Sequence, residues 1–314
     1  MENLRATEND DFDIIFGSGT THIYEIAHSN ILTLPRISNE YEITVKAIGV
    51  HLERIDNGTF EKIKDLDLSY NRLQVFSPFA VQQPELLLHL KLKGNPSLKD
   101  LTFVRSFEAL ETLDLSEMEL ETERIDFKAF AKMKGLRKLN LSRNRIAYLP
   151  AGAFAVRRKR WISIDLSDNF ITQLATGVFN NSIGLLDLSH NAVGVVEKKT
   201  FRNVNSVNLQ NNSLQTVDAK AFENVKHLNL AGNGMLKNFE FLHHLPMLTS
   251  LNMSRMSFRF LPTDKTFFAH VGNLNTLDLS NNLIDDLPLD VFANLTRLIS
   301  LDLSNNTESR LIYR

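Results

Sequence analysis

The sequence predicts an α/β solenoid. Short rows of chain stack so that their strands form one parallel β-sheet along a concave side, and irregular, 3-10 or short helical segments return on the convex side. Three observations predict it. A phrase of the form LDLSxNxL recurs along almost the whole chain. Within the phrase, apolar and polar residues alternate with the period of a half-buried strand. A Phe follows many copies at a fixed distance.

Residues 1–22 come first, and they are acidic and polar. Their "DFDIIF" reads as a capping strand, and no apolar run there is long enough for a signal-peptide core. Two loose copies follow, "YEIAHSNI" and "VKAIGVHL". Clear ones then run from "LDLSYNRL" at Leu66 to "LDLSNN" at Leu301. Anchored on the position of Asn71, thirteen rows fall at Ser29, Val50, Asn71, Asn95, Met118, Asn144, Asn169, Asn191, Asn212, Asn233, Met256, Asn282 and Asn306, spaced 21 to 26 residues. Rows therefore occupy residues 23–306. Residues 307–314 open a row without reaching its Phe, so an uncapped C-terminal edge is expected to associate with another chain.

One row explains its own letters. In "LNLSRNRI", Leu139 and Leu141 point inward, while Asn140 and Ser142 point out. Each buried Leu contributes about 1.5–3 kcal/mol, but no single row encloses a core, so neighbours must stack. Six Phe residues, Phe60, Phe154, Phe179, Phe201, Phe222 and Phe292, each ten residues past an anchor, are expected to stack as a second spine.

The repeated LxxLxLxxNxLxxL with its Phe resembles the typical, Phe-containing leucine-rich repeat subfamily of about 24 residues. Among its members the insect extracellular and immune proteins, Toll-like and mosquito leucine-rich immune proteins, look nearest. The resemblance implies a horseshoe and a ladder of anchor asparagines, Asn71, Asn95, Asn144, Asn169, Asn191, Asn212, Asn233 and Asn282, that bond the backbone within and between rows. Ser29, Val50, Met118 and Met256 depart from it, and the two Met residues are read as local irregularity.

Composition narrows function. A net charge of -2 offers no basic field for nucleic acid. There is no cysteine for disulfides or thiolate metals, and no apolar run long enough for a membrane helix. Catalytic and nucleotide-binding motifs are absent. His243 and His244 read as a solvated turn, so no enzyme, metal or cofactor is expected. The face expected to meet a protein partner is the column Asp114, Asn140, Asp165, Asp187, Asn208, Asn229, Asn252 and Asp278. Its alternative is a plain solvated surface, since LDLS is the filler that the resemblance implies at these positions; lacking aromatic anchors, any binding there is expected to be polar and salt-sensitive.

Asn57, Asn140, Asn180, Asn211, Asn252, Asn294 and Asn305 head glycosylation sequons. Glycans at Asn140 and Asn252 would move binding to a flank. Arg157, Arg158, Lys159 and Arg160 fall between Phe154 and Trp161. The run is read as a solvated cationic loop, with a dibasic processing site or a patch for an acidic partner as alternatives. Trp161 is expected to fill the leucine slot that opens the next row. The leading functional expectation is an extracellular recognition scaffold with an immune or adhesion role. Two others stay open, a cytoplasmic leucine-rich repeat adaptor and a structural matrix-like assembly protein.

Overall fold

The computed structural model describes residues 13–16, 22–27, 30–38, 41–154, 161–175, 177–179, 182–261, 267–288 and 290–307. The Arg157–Arg160 run, Ser29, Asn180 and the sequence after Thr307 lie outside them. The chain divides into two compact units, residues 1–145 and 146–314.

The first unit carries a sheet of β1 (Asp13–Phe16), β2 (His22–Ala27), β3 (Ile43–Ala47), β4 (Ile63–Asp67), β5 (His89–Lys91), β6 (Thr112–Asp114) and β7 (Lys138–Asn140), in that order. β1 runs antiparallel to β2, and each later strand is parallel to the one before. A strand lies at one edge of the parallel set because β2 would otherwise leave a row of unpaired amides. The second unit repeats the scheme with β8 (Ile162–Asp165), β9 (Ile183–Asp187), β10 (Val204–Asn208), β11 (His227–Asn229), β12 (Ser250–Asn252), β13 (Thr276–Asp278) and β14 (Ser300–Asp302), all parallel. Each is one short strand per row, so each unit is a parallel-sheet solenoid.

Behind each sheet lie the leucines. Leu66, Leu68 and Leu73 of one row are buried, as are Leu186, Leu188 and Val193 of another. Returning segments are irregular, with 3-10 turns at Thr102–Ser106 and Glu240–His244 and one short helix, α1 (Phe127–Lys132). In the second unit Phe154, Phe179, Phe201 and Phe222 stack at centroid distances of 6.0, 5.7 and 5.2 Å. Phe241 continues the stack edge-on, and Phe268 lies against Phe292. The first unit has a different aromatic cluster, in which Phe76 stacks on Phe103 at 4.4 Å with Phe107 edge-on to both.

At each described anchor the chain turns through a left-handed residue, among them Tyr70, Arg143, His190, Arg255 and Asn281. Non-glycine residues rarely adopt this conformation, and bonds at the next residue hold it. Asn144 Oδ1 accepts from the backbone N–H of Met118 and Leu120, and its Nδ2 donates to the carbonyls of Leu115 and Leu141. The same set recurs at Asn71 and Asn282, with single Oδ1 bonds at Asn95, Asn191, Asn212 and Asn233.

Met118 and Met256 have a common cause. In the row before each, the turn closes on itself: Leu98 N–H donates to the Asn95 carbonyl and Leu236 N–H to the Asn233 carbonyl. In ordinary rows the buried residue two past the anchor bonds the next Asn side chain, whereas Leu98 and Leu236 stand three past theirs and bond their own anchor's carbonyl. With that side chain not needed, an apolar Met fills the slot. Both Met residues are buried and followed by an Asn 26 residues later. Val50 is handled otherwise, because Ile31 N–H bonds the Val50 carbonyl directly.

Candidate recognition face

Alternation along each strand leaves one face of each sheet open. The Asp/Asn column lies on it, half-buried. Each member of the column does local work first. Asp67, Asp114, Asp165 and Asp187 each accept, through one carboxylate oxygen, both the backbone N–H and the hydroxyl of the Ser two residues on. Asn140 does the same with Ser142. Asn208, Asn229, Asn252 and Asp278 accept at least the backbone N–H. These are Asx turns, and they brace the strand end. At Asp302 the Ser304 hydroxyl and then its N–H hold the carboxyl below its usual range.

The serines correct the expectation that they point to solvent. Ser69, Ser116, Ser142, Ser189, Ser254 and Ser280 are buried beneath this turn. The hydroxyls of Ser69, Ser116 and Ser189 donate to the Asp two residues back, and that of Ser142 to Asn140, because the backbone has begun to curl inward at that residue.

The two units differ in how the column is neutralised. In the first, Lys46 pairs with Glu25 at 2.6 Å and Lys91 with Asp67 at 3.2 Å. Beside them a polar chain crosses four strands. Thr44 donates to Asp65 at 2.9 Å, Asp65 lies 3.6 Å from His89 Nε2, and His89 Nδ1 bonds the Thr112 hydroxyl at 2.8 Å. These residues line a shallow hollow of about 270 Å³. A carboxylate, an imidazole and a hydroxyl do meet there, but the carboxylate is beyond hydrogen-bond reach of the ring, and the groups satisfy one another as a surface network. Tyr70 leans over Gly94, and Lys93 lies 5.2 Å from its ring. The hydrogen bond to Tyr70 raises the Lys93 pKa, with Glu117 adding to it.

In the second unit the column reads Asp165, Asp187, Asn208, Asn229, Asn252, Asp278, Asp302. Among the described residues no cation pairs with Asp165 or Asp187; Asn208 Nδ2 reaches both Asp187 oxygens at 3.1 and 3.0 Å. A second recess, about 750 Å³, runs along the flank of this unit between Tyr148, Leu149, Thr172, Gly194 and Val195.

Trp161 overturns its expectation. It is 58% exposed, and Ile162 takes the inner slot in its place. The register slips by one between Ile162 and Ser163, so that Ile162 pairs with Ile183 and Ser163 with Leu185. A β-branched aliphatic fits the slot that Ile183 and Val204 fill in the next rows. The bulkier indole is left outside, beside Gly184, where an added Cβ would stand 3.4 Å from the Trp161 Cβ. An exposed aromatic therefore stands immediately before β8.

Among sequon residues, Asn57, Asn294 and Asn305 are exposed, Asn140 and Asn252 sit half-buried in the turn column, and Asn211 contacts His190 at 3.3 Å. His243 belongs to the 3-10 turn and lies against the His270 ring at 4.9 Å. No helix among the described residues is long and apolar enough to cross a membrane.

Comparison with known proteins agrees with this architecture. A family model described as leucine rich repeat matches residues 202–255 and 259–307. The chain is 32% identical over 183 residues to trophoblast glycoprotein of Macaca fascicularis, covering 54% of this chain and 42% of that protein. Leucine-rich repeats and immunoglobulin-like domains protein 1 of Homo sapiens is 30% identical over 169 residues, covering 46% of this chain and 15% of that protein. The chain thus spans less than half the length of either relative. The Drosophila Toll–Spatzle complex superposes with a TM-score of 0.59 at 18% identity over 90% of this chain and 47% of that one, which speaks to the fold. With its stacked parallel strands, anchor asparagines and inward leucines, the chain has the leucine-rich repeat fold.

Proposed function

We propose that this protein is a non-catalytic recognition scaffold of the extracellular or receptor-ectodomain kind, with an innate-immune or adhesion role, that binds a protein partner through the open face of its sheet. One observation carries the reading most. Asp114, Asp165 and Asp278 spend only Oδ1 on the Asx turn, and the Asp/Asn column repeats row after row at a strand spacing of about 4.8 Å. Such a periodic polar face suits an extended protein surface better than a small molecule. Toll is named in complex with a protein, Spatzle, and the relatives' names include a glycoprotein and an immunoglobulin-like domain protein. These support the extracellular setting.

Photo-crosslinking tests the face. Crosslinkers replacing Ser206 and Ser250 on the sheet, and Lys220 and Lys237 on the outer turns, are presented to the secreted proteome of the source cells. Specific crosslinks to one protein from the sheet positions alone are the expected result. The same protein captured only from Lys220 and Lys237 would overturn the assignment.

A further inference from the structure

Interface energy concentrates in a few buried aromatic or aliphatic anchors, often beside a charge. The structure places such a cluster at the start of the second unit. Trp161 is 58% exposed and Leu185 48% exposed. Gly184, between Ile183 and Leu185, lies beside Trp161: a Cβ added there would stand in ordinary contact, 3.4 Å from the Trp161 Cβ. Four residues on from Trp161 and two on from Leu185, Asp165 and Asp187 stand directly opposite each other in parallel register. Like charges so placed repel, and no cation among the described residues separates them. The equivalent positions of the first unit alternate in sign, Glu25, Lys46, Asp67 and Lys91, and are ion-paired. Asp278 and Asp302 form a similar acidic pair, but the strand positions flanking them on this face are Thr276 and Ser300.

We propose that Trp161, Leu185, Asp165 and Asp187 form the hot spot at which the second unit holds a loop of a partner protein, in which an apolar side chain is flanked by Lys or Arg. This deepens the sheet-face reading and rests on it. The apolar side chain covers Trp161 and Leu185, and the flanking cation relieves the repulsion between the two carboxylates. The paired carboxylates select against an acidic side chain at their own position.

Trp161 is the only tryptophan of the chain, so its fluorescence reports on the patch alone. The test pans a phage library of cyclic peptides lacking Trp on the whole chain, then titrates synthetic winners while following Trp161 emission. The chain supplies its own conservative variants. Asn serves the turn at Asn208 and Asn229, and Ser occupies the Leu185 column at Ser163 and Ser206. D165N/D187N and L185S therefore keep the fold. Winners are expected to combine Leu or Phe with Arg or Lys and to blue-shift the emission. They should bind each variant at least about tenfold more weakly while binding D278N/D302N unchanged. Winners that shift the emission yet ignore D165N/D187N, acidic winners, or a library without a saturable shift would overturn the patch. If winners are lost in D278N/D302N and kept in D165N/D187N, the patch is wrong and the sheet face still binds. Winners insensitive to both pairs would remove the face as well.

Discussion

At the scale of single residues, each row depends on side chains that serve backbone. Asn144 shows what one such residue is worth. Replacing it by Ala orphans two buried N–H groups and two carbonyls, at roughly 1–3 kcal/mol for an orphaned group after relaxation. N144A is expected to lose about 3–5 kcal/mol in urea unfolding. D165A, whose carboxylate serves only a partly exposed turn, is expected to lose about 1 kcal/mol. Equal losses would mean that the ladder is no more than surface capping. Gly94 is a second fixed point. Its φ is +69°, and an added Cβ would stand 2.6 Å from Tyr70 Cδ1. G94A is expected to cost about 1–3 kcal/mol, with part regained in Y70A/G94A, since only the clash is removed and the backbone strain stays. Asp302 gives the acid limb. Its folded pKa is depressed by the Ser304 bonds, so that interaction is complete above the ordinary 3.8 and lost as pH falls through the folded value. The Ser304 amide shift should therefore titrate with a midpoint below 3.8.

Strands and returning segments show where pattern reading succeeds and where it stops. Inward leucines and the position of each strand follow from period two, and the Phe stack of the second unit follows from its fixed distance past the anchor. What escaped were features set by neighbours. Whether Trp161 or Ile162 enters the core depends on a one-residue slip against Gly184, which single-row spacing does not contain. Burial of Ser142 and its equivalents depends on where the backbone curls, one residue earlier than strict alternation implies. The Met rows looked irregular because the compensating turn lies a row earlier, at Asn95 and Asn233. The Asp/Asn column was visible in the sequence, but its Asx turns and its different neutralisation in the two units were not. For the Phe stack the cost is calculable. Phe201 is fully buried, 5.7 Å from Phe179 and 5.2 Å from Phe222. F201A is expected to lose about 3–5 kcal/mol, and F201L much less, because Leu refills most of the volume. An F201A loss under about 1 kcal/mol would show that the stack does not bear on the core.

For the molecule as a whole, the open question is which surface a partner can reach, and glycans answer it independently of any ligand. Sequons occur on both kinds of surface. Asn57, Asn294 and Asn305 are exposed away from the turn column, whereas Asn140 and Asn252 lie within it. In that column Oδ1 is held by the Ser142 and Ser254 backbone N–H groups, which turns Nδ2 outward, toward the space a partner would fill. A sheet-face recognition protein should therefore carry sugar at the first set and leave the second bare. Secretion of the chain from an insect or mammalian host, followed by glycosidase treatment in heavy-oxygen water and peptide mass mapping, reads each site separately. Mass-tagged Asn57, Asn294 and Asn305 with unmodified Asn140 and Asn252 is the expected pattern. Full occupancy at Asn140 and Asn252 would cover the sheet face at those two rows and overturn the sheet-face reading in favour of a flank. Protein that is confirmed as secreted and bears no sugar at any of the five would contradict the extracellular glycoprotein reading itself.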